Sequence, residues 1–194
     1  MRTAYKFLAA GSVSPFTAFR WPGVGVWVTA PADGEASWVF GCRRGDLPYW
    51  LEHELWTIEL DEPARESRYQ ISAPRGRLVR RLERWDDESR REYSIACALH
   101  ARELALPALP SDLASRVARI ADPDEIAEVI GGVSNPSAVV GYLKDATADA
   151  KRDAAATSYI ACILAATLGG GQDSFEAERA WQARWLSERL FLDS

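Results

Sequence analysis

Histidine is nearly missing from this chain: His53 and His100 are the only two in 194 residues. That excludes a metal centre built on several imidazoles. Cysteine is scarce as well. Cys42, Cys97 and Cys162 fall one in each third of the sequence, an odd number without short spacing, which speaks against a disulfide framework and a zinc ribbon. The longest apolar segment, residues 160–168, is about half of what a bilayer crossing needs. Phosphate-binding signatures are absent too. Gly23-Val24-Gly25 is followed by no helical pattern, and Gly169-Gly170-Gly171 closes a helix instead of opening one, so neither is a dinucleotide or phosphate loop. No Walker sequence, no Gly-x-Ser-x-Gly and no His-Glu-x-x-His occurs.

Lysine is the last scarcity, at 3 residues against 20 arginines. Arginine is the better bidentate partner for anions, although a GC-rich genome produces the same bias. The formal charge of −5 is not the electrostatic footprint of a general nucleic-acid binder. The chain begins with a short apolar stretch and no long hydrophobic region, so no signal peptide is expected. A cytoplasmic protein without membrane or nucleic-acid partners is the expectation.

What the chain does have is an ordinary globular composition, 47% apolar and 26% charged, with eight tryptophans. Tryptophan serves cores, pocket walls and interfaces alike. Two textures divide the sequence. Residues 1–84 carry the strand-like runs, at 3–8, 25–30, 37–40 (after an Asp33-Gly34 turn), 55–60, 68–72 and 76–82, with a helical turn at 47–51. In residues 55–60, Leu55, Thr57 and Glu59 alternate with Trp56, Ile58 and Leu60, the period of a half-buried strand. From residue 85 the pattern is helical. Acidic Asp86-Asp87-Glu88 opens a helix running to about Leu104, and Pro107 and Pro110 stop it. Short helices follow at Ser111 and at Asp122-Pro123, then a long one over residues 135–168 and a last one over 174–192. The fold class predicted is α+β: an N-terminal, mostly antiparallel β-rich half followed by a C-terminal helical half, together one compact unit.

Several segments resemble a set of bacterial proteins with no known activity. They are Tyr5-Lys6-Phe7-Leu8, Phe19-Arg20-Trp21-Pro22, Asp46-Leu47-Pro48-Tyr49-Trp50-Leu51, Glu54-Leu55-Trp56, Ala73-Pro74-Arg75-Gly76-Arg77-Leu78-Val79, and a closing Glu178-Arg179 with Gln182 and Trp185-Leu186. The members have a His-containing turn before the cysteine, whereas this chain reads Val39-Phe40-Gly41-Cys42. The likeness implies a shared fold and no particular chemistry.

Four constellations bear on function. Glu52-His53-Glu54 places an imidazole between carboxylates, a setting for acid–base work, or a solvated junction. Cys97 and His100 stand at i,i+3 on the first long helix with Tyr93, which presents thiol and imidazole together, or a core histidine beside a core cysteine. Cys42-Arg43-Arg44 sets two cations beside a thiol and can lower its pKa, or is structural. Seven arginines between Arg65 and Arg84 form either an anion-binding patch or a face paired with its own acids.

These features lead to two expectations. One is binding or metal-free conversion of a small organic molecule, a cyclisation, elimination or isomerisation, in the seam between the halves. His53, His100 and Tyr93 would move protons, Trp50, Trp56, Arg75 and Arg77 would hold the substrate, and no cofactor would be needed. The other is a protein-interaction module, such as an immunity or adaptor protein, using Trp181, Trp185 or Phe191 as an anchor. Homodimerisation through the last helix is compatible with either.

Overall fold

The computed structural model describes residues 1–30 and 38–192; the expected Asp33-Gly34 turn and Ser37 lie outside them. The chain is α+β, with antiparallel sheets first and helices after. It groups into two compact units, residues 1–86 with 186–194, and residues 87–185. The end of the last helix therefore belongs with the strands.

The strand unit is built on β1 (Arg2–Leu8), β4 (Glu54–Leu60) and β7 (Arg75–Arg81), joined at one edge by β2 (Val28–Thr29). Lys6 stands opposite Trp56, and Leu8 opposite Glu54. The alternation read in residues 55–60 is realised: Trp56, Ile58 and Leu60 are buried together with Ala4, Leu8, Trp21 and Leu78, while Thr57 and Glu59 are half-exposed. Leu55, on the other side, is also fully buried. A second sheet pairs β3 (Val39–Gly41), β6 (Ile71–Ala73) and β5 (Arg65–Glu66). Glycine is required where these sheets crowd: a Cβ on Gly41 would stand 2.7 Å from Ile58 Cδ1, and one on Gly76 2.7 Å from Val39 Cγ1.

Two strand expectations shrink. Only Val28 and Thr29 of residues 25–30 pair, because Gly25 adopts a positive φ of 82° and its N–H bonds to the carbonyl of Leu78 instead. Residues 68–72 begin in a turn closed by Ser67 N–H to Gln70 O, and pairing starts at Ile71. The turn expected at 47–51 is a 3-10 helix over Arg44–Tyr49.

The helical unit contains α1 (Asp87–Ala105), α2 (Ser111–Val117), α3 (Pro123–Gly131), α4 (Ala138–Asp149), α5 (Ala154–Ala165) and most of α6 (Gln172–Leu190). Its apolar centre joins Ala101, Leu113, Ile126, Ile130, Leu143, Ala161 and Leu164. The single helix expected over 135–168 is in fact two. Asp153 leaves the helical conformation and its carboxylate accepts from Ala155 and Ala156 N–H, restarting the helix as an N-cap. Asp122 caps α3 in the same way through Asp124 N–H, and Lys151, in the break, reaches both Asp122 and Asp124. Among the described residues no helix is long and apolar enough to cross a membrane.

Candidate functional site

The helical unit buries an unusual amount of polar chemistry between α1, α5 and α6. Tyr93, Cys97 and His100 recur on α1 at i, i+4 and i+7, the period of one face. Ser158 and Cys162 stand at i,i+4 on α5, and Glu178 and Gln182 do so on α6. Tyr93, Cys97, Ser158, Cys162 and Gln182 have no exposed surface, and Glu178 and Arg179 almost none.

Their hydrogen bonds form a chain. Gln182 is the hub: its amide N–H groups donate to Glu178 Oε1 at 3.0 Å and to Ser158 O at 3.0 Å. Its carbonyl oxygen accepts from Ser158 Oγ at 2.9 Å, Arg179 Nη1 at 3.0 Å and the Tyr93 hydroxyl at 3.3 Å. Arg179 also donates to Ser158 Oγ at 2.6 Å, and the rings of Tyr159 and Phe175 flank its guanidinium. Polar groups inside a helix bundle are tolerated where they find partners, and most of these do, although Ser94 Oγ and Thr157 Oγ1 have none among the described residues.

Glu178 breaks that pattern. Its Oε2 lies 2.8 Å from His100 Nδ1, yet the two are out of line for a hydrogen bond, and neither atom has another partner among the described residues. The Glu178 side chain is 1% exposed, that of His100 26%. The imidazole lies flat on Trp181, centroids 3.9 Å apart and planes 8° from parallel. Two neighbours thus fix the ring: a carboxylate at one nitrogen and an indole on one face. Nε2 has no partner among the described residues.

The thiols are inert by contrast. Burial, and next the charge of Glu178, pushes Cys97 well above its ordinary pKa. Burial takes Cys162 to about 12 despite the opposing charge of Arg179, and Cys42 also to about 12, assisted by Asp46. The arginines beside Cys42 do not activate it, since Arg43 is spent on Asp46, Glu66 and two backbone carbonyls. Tyr93 is likewise raised well above 10 by burial and by Cys97, so it remains a phenol.

The sequence candidates therefore separate. His100 and Tyr93 share the helical network. His53 lies in the strand unit, its ring 60% exposed and its Nδ1 2.9 Å from Glu52. Trp50 donates to Tyr69 O at 2.9 Å; Trp56 is buried and donates to Glu54 at 3.0 Å. Arg75 faces Asp61 at 3.5 Å, and Arg77 binds Glu59 through two nitrogens at 2.8 and 2.6 Å, both guanidiniums lying against Trp27. These arginines already have carboxylate partners. Glu178, Ser158, Gln182 and Arg179 were not among the sequence candidates. Their signal was polar residues at core spacing on otherwise apolar helix faces. Among the described residues no three metal-ligating side chains cluster. Compared with protein-family models, curated proteins and solved structures, the chain matches none of them.

Proposed function

We propose that this protein binds and converts a small organic molecule by proton transfer at His100. The observation that carries the reading is the buried Glu178 carboxylate 2.8 Å from Nδ1 of a partly exposed imidazole, without the alignment that would complete a hydrogen bond. A carboxylate in that place favours the tautomer with hydrogen on Nδ1, which leaves Nε2 to take or give a proton. Such bonds often tighten only when ligand is present. Glu178 is then a positioning residue, and Trp181 holds the ring plane. General acid–base chemistry of this kind supplies about 10²- to 10⁴-fold in rate, which suits an isomerisation, elimination or cyclisation.

The test is to incubate the protein with a small-metabolite extract and follow, by mass spectrometry, compounds that are consumed. A product isomeric with its substrate, or lacking one water, should form with the wild type and with His53→Gln, and fall at least 100-fold with His100→Gln. Conversion that persists in His100→Gln overturns the reading.

A second reading, a protein-interaction module, is favoured by the apolar side chains that the strand unit exposes. Phe16 is 83% exposed, Phe19 42%, Val24 59% and Val26 50%. Phe191 is 67% exposed, with Arg84 against its ring. Exposed apolar side chains mark a partner surface where they form one contiguous patch. Trp181 and Trp185, by contrast, are half-buried against His100 and Tyr93, which makes them poor anchors. A partner whose affinity is unaffected by Phe16→Ser and Phe19→Ser would remove this reading.

A further inference from the structure

Lys6 is placed unlike either of the other two lysines. It sits on β1 opposite Trp56, on the face that buries Ala4, Leu8 and Ile58. Its ammonium donates to Phe40 O at 2.8 Å and lies 5.4 Å from the centre of the Trp21 ring. No carboxylate pairs with it among the described residues. Lys151, by comparison, is held by two aspartates, chiefly Asp122, and raised by them.

Trp21 closes a small hairpin over this amine. Residues 9–21 fold back through Ala9 N–H to Val13 O at 2.8 Å, Ser14 N–H to Phe19 O at 2.8 Å and Trp21 N–H to Ser12 O at 2.9 Å. The Trp21 indole N–H donates to Ser14 Oγ at 2.9 Å. The hairpin is pinned to the sheet by Glu54, which accepts from Gly11 N–H and Ser12 Oγ. The residue as a whole is half-buried. Burial lowers Lys6 to about 8, the nearby Cys42 opposing. At pH 7.5 roughly a quarter of its amines are then neutral, against well under 1% for an ordinary lysine. A desolvated lysine without a carboxylate is the form in which this side chain acts as a nucleophile.

We propose that Lys6 is a nucleophilic amine that captures small aldehydes or ketones as imines beneath the Trp21 hairpin. The neutral nitrogen adds to the carbonyl carbon, the C–N bond forming as the C=O π bond opens. Water then leaves, carrying the carbonyl oxygen and the two amine protons, and a C=N bond remains. No oxidant or cofactor enters the balance. The tryptophans at 21 and 56 supply apolar walls suited to an uncharged carbonyl compound. The site belongs to the strand unit and stands independently of His100.

The experiment treats the folded full-length chain with sub-millimolar acetaldehyde and cyanoborohydride, which fixes each imine as an N-ethyl group. Peptide mapping then compares the three lysines. Lys6 should be modified at least ten times faster than Lys144 or Lys151, with a rate that levels off above about pH 8. In 8 M urea the preference should vanish. Equal labelling of the three lysines in the folded chain overturns the proposal, as does a preference that survives urea or a Lys6 rate still climbing steeply at pH 10.

Discussion

Each unit of this protein buries a glutamate, and the two are treated in opposite ways. In the strand unit, Glu54 accepts from Gly11 N–H, Ser12 Oγ and the Trp56 indole at 2.9 to 3.0 Å, with Arg81 at 3.8 Å. Burial works against its charge, but these donors outweigh burial and hold the carboxyl below its usual range. In the helical unit, Glu178 has one hydrogen bond among the described residues, from Gln182, and an unaligned contact with His100. A carboxylate with donors on both oxygens is a structural fastener. One left with a bond to complete is the group on which the proposed chemistry rests.

Matched substitutions sharpen that contrast, and the largest effect belongs to the fastener. Glu54→Gln replaces one acceptor oxygen by a donor facing donors, at a cost of about 3 kcal/mol. Faster amide hydrogen exchange in β1 and β4 reads it out. Acid should act on the same group, more gently. Because the folded pKa of Glu54 is depressed, its contribution is complete above the unfolded value near 4.5. It declines as pH falls below that value and is gone once the folded carboxyl protonates. Urea melts between pH 6 and 3 should show the decline in the wild type and a flatter profile in Glu54→Gln. An equal slope in both would deny Glu54 its structural role. Tyr93→Phe removes one donor from a network in which Ser158 and Gln182 keep other partners, so it should cost about 1 kcal/mol in the helical unit. The smallest change is expected of Glu178→Gln. The Glu178 Oε2 has no hydrogen bond to lose among the described residues, so stability should stay within about 1 kcal/mol of the wild type or rise above it. A loss as large as that of Glu54→Gln would erase the distinction.

The sequence shows where strands end and helices begin, because period-two and period-3.6 patterns are local. It shows less wherever a distant partner decides. The break after Asp149 depends on Asp153 preferring a cap to a helix interior, and an alanine-rich run masks that choice. The shortening of residues 25–30 depends on Leu78 taking the N–H of Gly25. For the site, His100 and Tyr93 were legible as one face of α1. Glu178 was not, because what marks it is a contact 78 positions away in sequence. His53, equally conspicuous on paper, lies exposed beside Glu52. Arg75 and Arg77 look like an anion site until Asp61 and Glu59 are seen opposite them. Spacing predicts faces; only the fold shows which groups are already satisfied.

The most direct test is the position of the proton on His100, read from long-range ¹H–¹⁵N couplings of the imidazole at a pH where the ring is neutral. With Glu178 beside Nδ1, hydrogen should reside on Nδ1, and Nε2 should show the shift of an unprotonated nitrogen. A ring carrying its hydrogen on Nε2 would mean that the carboxylate does not orient it and would contradict the account.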